Sequence, residues 1–180
     1  YAAEAQEFNR TPTEAVLGLL ASHHNFHLEI GQRNAWQFQI THLKEIAIAL
    51  PQSFIFLEFS IPRMGKRADV VILHQNIVFV LEYKVGATHH DSAAADQVLD
   101  YALDLKNFHE GSHEAVIVPI LIATKAPNMT TAVDLWGDGI AVPLRTNPAG
   151  TLNCIQDAIQ SLSTHRHEPL LPSMTWASSR

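Results

Sequence analysis

Two neighbouring apolar runs constrain this chain more than any other feature. Residues 67–73 read RADVVIL and residues 77–84 read IVFVLEYK, with three polar residues between the two runs. Short, mostly aliphatic runs bounded by polar residues are typical of interior strands, so we predict an antiparallel hairpin. Charged residues nevertheless stand at its ends. Charged side chains are rarely buried unless they are paired or bind a metal, so these residues need a chemical reason.

The charged residues of the predicted hairpin are expected to share one patch. Side chains alternate between the two faces of a strand, so Glu82 and Lys84 point to the same side. Antiparallel pairing would bring Asp69 beside Glu82. Two adjacent carboxylates do not both stay ionised without a cation, and a hard cation such as Mg²⁺ prefers carboxylate, water and phosphate oxygens. The pattern therefore predicts a divalent-metal site with an ammonium group beside it.

Composition restricts the class of protein. The chain has 180 residues, 47% of them hydrophobic and 17% charged, which predicts one ordinary soluble domain without a membrane span. A single cysteine, Cys154, excludes an internal disulfide framework and is typical of a reducing, cytoplasmic location. The net charge of −6 argues against a broadly basic nucleic-acid binder. The segment before Asp69 is locally basic, however, because it contains Arg63, Lys66 and Arg67.

The remaining sequence predicts helices and strands that alternate around this hairpin. Asn34 and Thr151 are expected to cap helices, and Pro119 predicts an edge position or a bulge because proline lacks a ladder donor. Residues 1–10 show no clear pattern. We predict helices over 12–22, 34–50, 93–109 and 152–163, and strands over 53–60, 67–73, 77–84, 115–124 and 140–144.

This order predicts a three-layer α/β fold with a mixed central sheet. Strands that are apolar on both faces need helices on both sides. The core order is α-β-β-β-α-β, with an extra helix at each end. We expect one domain over residues 1–163. From Thr164 the chain turns polar and contains prolines, so residues 164–180 are expected to form a tail or a linker to a further domain.

The charged residues in this order resemble the PD-(D/E)XK nuclease superfamily. Glu58, then Ala68-Asp69, then Glu82-Tyr83-Lys84 fall in consecutive predicted strands. The superfamily has an α-β-β-β-α-β, restriction-endonuclease-like core, and residues 33–124 correspond to it. Alanine stands at position 68 where the family name has proline. Some branches carry a glutamine and a tyrosine four residues apart on the following helix, and these match Gln97 and Tyr101.

The resemblance implies a function and a role for each residue. It implies a nuclease that uses Mg²⁺ or Mn²⁺ to hydrolyse nucleic acid, DNA rather than RNA. Asp69 and Glu82 would hold the metal, together with the backbone carbonyl of Tyr83 and either Glu58 or Glu45. Lys84 would position or activate water and stabilise the transition state. Substrate contacts would come from the helix pair and the basic turn, namely Gln97, Tyr101, Arg63, Lys66 and Arg67.

Other interpretations of these residues remain open. Residues 66–109 also resemble nuclease-like domains that precede P-loop helicase-type ATPases in bacterial proteins. The chain contains no Walker A loop, so such an ATPase partner would lie beyond Arg180. A non-cleaving module that binds nucleic acid and is attached to such an ATPase is the alternative function. A structural ion-pair network would also explain the charges. We expect Asp96, Asp100 and Asp104, which recur every four residues, to lie on a solvated helix face.

Overall fold

Six strands form one open mixed sheet in the order of the sequence. The computed structural model describes residues 1–22, 30–129, 132–163 and 173–179. The first four strands pair antiparallel, and the last two add in parallel. The strands are β1 (Ala2–Glu4), β2 (Phe54–Ser60), β3 (Arg67–His74), β4 (Ile77–Lys84), β5 (Val116–Ala123) and β6 (Leu144–Thr146).

Helices cover both faces of this sheet, as strands that are apolar on both sides require. They are α1 (Ala5–Arg10), α2 (Thr13–Ser22), α3 (Ile30–Ala49), α4 (Ser92–Phe108), α5 (Pro148–Leu162) and α6 (Ser173–Ser178). One buried cluster joins α1, α2, α3 and α5 to one face. The other joins α4 and α6 to the opposite face. The α/β architecture with a mixed sheet is therefore confirmed. None of the helices described is long and apolar enough to span a bilayer.

The hairpin that dominates the sequence forms as predicted. β3 and β4 pair antiparallel from His74 opposite Ile77 to Val70 opposite Leu81. Their apolar side chains supply both buried clusters, because alternate residues point to opposite faces. Every residue of β4 except Lys84 is buried. The predicted interior position of both strands is therefore confirmed.

The N-terminal residues contain two elements that the sequence did not indicate. β1 pairs with β2 at the edge of the sheet, and α1 follows it directly. Ala5 and Phe8 of α1 are fully buried. Elements of three and six residues are too short to establish a period of two or of 3.6 residues. Tertiary packing, rather than local pattern, therefore defines this part of the chain.

Two predicted helix caps lie elsewhere. α3 is already helical at Ile30, so Asn34 lies inside the helix rather than at its start. α5 begins three residues before Thr151, with Pro148 in its first turn. Its cap is Asn147, whose side-chain oxygen accepts the Gly150 N–H at 3.0 Å. A proline after an asparagine is a stronger start signal than the internal threonine.

Pro119 lies in the interior of the sheet, so the predicted edge position is wrong. β5 stands between β4 and β6. The ladder on the β6 side is interrupted at the proline: Ile117 bridges Ile140, whereas Ile120 pairs with Leu144. The partner strand thus advances four residues while β5 advances three. This extra residue on the partner strand corresponds to the bulge that was the other expectation. β6 accordingly begins at Leu144, the last residue of the predicted range of 140–144.

Part of the predicted tail packs on the domain. Residues 164–172 and 180 lie outside the described residues, but residues 173–178 form α6. The side chain of Trp176 is fully buried in the same apolar cluster as Phe56 and Phe59 of β2. It covers a part of the sheet next to His109, which its ring contacts. Trp176, together with the Ser179 hydroxyl that accepts the Gly111 N–H at 2.9 Å, thus attaches residues 173–179 to the domain.

Candidate active site

The carboxylates of the hairpin meet at the end of the sheet where β2 and β4 end and β3 begins. The β3–β4 ladder ends at Val70 opposite Leu81, and Asp69 and Glu82 are the next residues of the two strands. The charge of Glu82 acts on Asp69. The Tyr83 N–H donates to Asp69 Oδ2 at 2.9 Å. The side chain of Asp69 on β3 is therefore held against the end of β4 by this hydrogen bond. The expected proximity of the two carboxylates follows from the antiparallel pairing.

A chain of hydrogen bonds leads from Glu82 into α4. Lys84 Nζ donates to Glu82 Oε1 at 2.8 Å and to Gln97 Oε1 at 2.8 Å. Gln97 Nε2 then donates to the hydroxyl of Tyr101 at 2.7 Å. Four of the predicted site residues are thus brought together, and Lys84 is held between a carboxylate and an amide. α4 positions this pair because the Asp91 carboxylate caps it at Ala93 N–H.

Glu58 approaches the same end of the sheet from β2, with an unusual backbone. Its φ of +54° lies in the left-handed region, which is unfavourable for residues other than glycine. The turned backbone directs its side chain to α3, where Trp36 Nε1 donates to Glu58 Oε1 at 2.8 Å. Arg67 Nη1 lies 3.7 Å from the other carboxylate oxygen. After this residue the alternation reverses, so Phe59 joins the same cluster as Phe56.

Gln39 is a member of the site that the sequence analysis missed. It projects from α3, only 4% exposed, and its Nε2 lies 3.4 Å from Asp69 Oδ2. Its Oε1 has no hydrogen-bond partner among the described residues. Gln39 stands on the apolar stripe between Trp36 and Leu43, where a polar residue is rare. That position was the signal that could have identified it.

Burial and like charge change the acidity of the two carboxyls. Burial, and then the neighbouring charge of Glu82, raises the pKa of Asp69 to about 7. Burial also raises the pKa of Glu82, although the hydrogen bond from Lys84 opposes the change. Glu58 adds to both shifts through its charge. Glu82 Oε2 is buried without a hydrogen-bond partner among the residues described. The site therefore carries more negative charge than its lysine neutralises.

Of the two candidates for a third acidic residue, only Glu58 acts on this pair. Glu45 lies on the exposed side of α3, where it lines a cleft of about 190 Å³ with Phe38 and His42. Its charge acts on His42, whose pKa burial lowers. The structure thus separates Glu45 from the carboxylates, whereas the charge of Glu58 affects both of them.

The basic turn before β3 is only partly directed to the site. Lys66 donates to Asp104 Oδ2 at 2.8 Å, and Asp104 is buried. The predicted solvated face is therefore wrong for Asp104, because the lysine offsets its charge. Arg63 is exposed in the β2–β3 turn, with φ +65°. Arg67 is connected to the acidic residues through its contact with Glu58.

The side chain of Tyr83 is anchored on the opposite side of the sheet. It is buried, and its hydroxyl lies 2.9 Å from His42 Nδ1. The other ring nitrogen of His42 lies 3.0 Å from the carbonyl oxygen of Pro148, at the start of α5. Tyr83 therefore contacts the carboxylate end of the sheet through its N–H, and α3 through its hydroxyl. His42 extends this connection to α5.

The chain matches no protein-family model, no curated protein and no solved structure. Within the ranges described, no group of three or more His, Cys, Asp and Glu side chains is arranged to hold a metal ion. The predicted oxygen ligands are two carboxylates and one backbone carbonyl, with Glu58 beside them. The spacing of His23, His24 and His27 resembles that of metal ligands, but these three residues lie outside the described residues. Function is therefore inferred from the chemistry of these side chains alone.

Proposed function

We propose that this chain is a metal-dependent nuclease that hydrolyses phosphodiester bonds, with DNA favoured over RNA. The observation that carries the proposal is the half-buried Asp69 beside the buried Glu82, with Lys84 bonded to Glu82. A structural ion pair would satisfy its buried oxygens, because an unpaired buried charge is costly. Here Glu82 Oε2 has no hydrogen-bond partner in the described part of the chain. The pair has the composition of a ligand site.

The donor atoms fit a hard divalent cation. Carboxylate and carbonyl oxygens are the ligands that Mg²⁺ and Mn²⁺ prefer. Asp69, Glu82 and the carbonyl of Tyr83 would hold the ion, with Glu58 as the third acidic residue. When bound, the ion would act as a Lewis acid and lower the pKa of a water ligand. Its charge would also offset the repulsion that raises the pKa of Asp69.

Lys84 supplies the cationic group of the reaction. Its side chain is about one-third exposed and its ammonium is held by Glu82 and Gln97, so the group is fixed in direction on a side chain that a substrate can reach. An ammonium with three donors can give two to these residues and one to an attacking water or to a phosphoryl oxygen. Charge that develops on the phosphoryl oxygens would be stabilised by this preorganised donor.

The surrounding polar residues support substrate placement. Gln97 and Tyr101 line an open cleft of about 390 Å³ beside Lys84. Arg63 and Arg67 are exposed on the turn and strand at the same end of the sheet. Arginines in such positions give sequence-independent contacts with phosphates. These residues would therefore position a nucleic-acid strand, while Lys84 and the carboxylates carry out the chemistry.

The order of elements is a second support. α3, β2, β3, β4, α4 and β5 follow each other as in the α-β-β-β-α-β core of the PD-(D/E)XK superfamily. The three acidic residues stand on the three successive strands. The same likeness favours a restriction-endonuclease-like core and a helicase-type ATPase as a partner. Because a fold does not determine a function, the site remains the principal argument.

The test is cleavage of end-labelled DNA with Mg²⁺, with Mn²⁺ and with EDTA. Single-stranded, duplex and circular substrates and matched RNA separate the substrate classes. We expect metal-dependent products from the wild type. Asp69→Asn and Glu82→Gln preserve shape and remove one charge each, and we expect them to abolish cleavage. Asp157→Asn removes an exposed charge from α5 and is the matched control.

The outcome also separates the two functions. Cleavage that persists in both Asp69→Asn and Glu82→Gln would contradict the assignment of the site. Salt-dependent DNA binding without turnover at any divalent metal would favour the non-cleaving module. Binding of Mn²⁺ measured by calorimetry distinguishes these outcomes further, because a non-cleaving module has no need of the adjacent carboxylates.

A further inference from the structure

Tyr83 is hydrogen-bonded through both its backbone and its side chain. Its N–H donates to Asp69 Oδ2 at 2.9 Å. Its hydroxyl lies 2.9 Å from His42 Nδ1, and the two rings meet edge to face with centroids 5.7 Å apart. A residue fixed at both ends transmits the position of one partner to the other. His42 is therefore connected to Asp69 through one residue.

The contacts of His42 determine its protonation. The carbonyl oxygen of Pro148 can only accept, so His42 Nε2 must carry a proton. In the neutral ring Nδ1 is then an acceptor, and the Tyr83 hydroxyl donates to it. A protonated ring would force that hydroxyl to accept. Its own proton would then face a buried pocket with no second partner among the described residues. The contacts thus select the neutral Nε2–H tautomer.

We propose that His42 is a positioning residue of the candidate active site, which as the Nε2–H tautomer fixes Tyr83 and through it the orientation of Asp69. Its catalytic consequence rests on the proposed nuclease function. The positional part does not, because it concerns the Tyr83 peptide in the free protein. Residues that orient metal ligands without binding the metal themselves are costly to remove. Their loss typically lowers affinity or activity by about 10- to 100-fold.

Packing alone would not require this arrangement. Phe38 stacks near His42 with ring centroids 6.1 Å apart and meets Tyr83 edge-on at 6.4 Å. These ring contacts would survive if His42 were another flat apolar residue. The two hydrogen bonds would not. They join α3, β4 and the first residue of α5, and they set the rotation of the Tyr83 ring.

The first measurement needs no activity. Nitrogen chemical shifts of the His42 ring, read by NMR from histidine labelled with ¹⁵N, report the tautomer directly. We expect a protonated Nε2 and an unprotonated Nδ1. We also expect the Tyr83 amide resonance to move in His42→Phe, which keeps a flat ring and removes the hydrogen bonds to Tyr83 and Pro148. The opposite tautomer, or an unchanged Tyr83 amide, would overturn the proposal whether or not the chain cuts DNA.

The second measurement distinguishes positioning from stability. The side-chain oxygen of asparagine stands near the place of histidine Nδ1, whereas glutamine reaches the place of Nε2. We expect His42→Gln and His42→Phe to weaken Mn²⁺ binding by about tenfold. We expect His42→Asn to retain most of the wild-type affinity, because its side-chain oxygen still accepts from the Tyr83 hydroxyl. In an active enzyme kcat should fall while KM stays constant. Equal losses in Asn and Gln would overturn the proposal.

A matched control is present on the other end of the same strand pair. His74 is buried, and its Nδ1 bonds Ser53 Oγ at 2.8 Å, as closely as His42 bonds Tyr83. His74→Phe should lower thermal stability in the way that His42→Phe does. It should leave Mn²⁺ affinity and the Tyr83 amide resonance unchanged. A loss of Mn²⁺ affinity in both variants would show a purely structural role for His42.

Discussion

Two lysine–carboxylate pairs of the same length lie near α4, and their surroundings differ. Lys66 Nζ is 2.8 Å from Asp104 Oδ2, and Lys84 Nζ is 2.8 Å from Glu82 Oε1. The lysine of the first pair is 40% exposed and that of the second is 34% exposed. Neither distance nor exposure therefore separates the pairs. The neighbouring charges do.

In the first pair one ammonium bonds one buried carboxylate. The hydrogen bond that Lys66 donates to Asp104 raises the pKa of Lys66, and the charge of the exposed Asp100 adds to this shift. In the second pair Asp69 adds a further carboxylate, and the pKa of Glu82 is raised although Lys84 is bonded to it. The first pair is thus a closed interaction that completes the packing of α4. The second retains excess negative charge, which is what a cation site requires.

Replacing the two lysines should give the largest difference. We expect Lys84→Met to lower kcat by about 100- to 1,000-fold, since it removes a preorganised donor at the reacting phosphate. We expect Lys66→Met to change kcat by less than about threefold, because its ammonium is committed to Asp104. Single-turnover cleavage of one labelled DNA substrate measures both. Similar losses in the two variants would show that the pairs are not distinct in function.

Replacing one aspartate of each region should change stability in opposite directions. The pKa of Asp69 is raised from its ordinary value near 3.8 to about 7. Between these values the unfolded chain binds fewer protons than the folded one, so the free energy of unfolding falls as pH rises from 4 to 7 and is constant above. The decline should amount to about 2–4 kcal/mol in metal-free protein.

Asp69→Asn should remove most of this decline, because an amide has no charge to bury and still accepts from the Tyr83 N–H. Asp104→Asn should instead lower stability at neutral pH, since it removes the partner of Lys66. Urea unfolding in EDTA at pH 4.5, 6 and 8 measures both. If Asp69→Asn is less stable than the wild type at pH 8, Asp69 is part of a closed network and not of an open site.

The hairpin and its charges were predictable because they depend on local rules. Alternation along β4 places Glu82 beside Lys84, and antiparallel pairing places Asp69 opposite. A helical spacing of four likewise brings Gln97 to Tyr101. These relations need only the type of each element and the direction of pairing. The sequence contains both, so this half of the site follows from it.

The other features depend on contacts between distant elements. The role of Gln39 requires knowing that α3 crosses the end of β3, and the burial of Asp104 requires the turn that holds Lys66. The burial of Trp176 depends on a sheet surface that α4 leaves uncovered. The contact of Glu58 with Trp36 arises because its left-handed φ breaks the alternation that strand patterns assume. No local pattern predicts such a backbone at glutamate.

The choice between Glu58 and Glu45 gives the smallest expected difference. Glu58→Gln should weaken Mn²⁺ binding and cleavage by about tenfold, because its charge acts on both Asp69 and Glu82. The amide oxygen can still accept from Trp36, so the fold is retained. Glu45→Gln is the matched variant on the exposed side of α3 and should change neither quantity.

Calorimetric titration with Mn²⁺ and cleavage under single-turnover conditions measure this difference. A loss in Glu45→Gln with none in Glu58→Gln would place the third acidic ligand on the helix and contradict the assignment to β2. A loss in neither would mean that Asp69, Glu82 and the Tyr83 carbonyl are the sufficient ligands. In that case the strained backbone at Glu58 would serve its bonds to Trp36 and Arg67 rather than the metal.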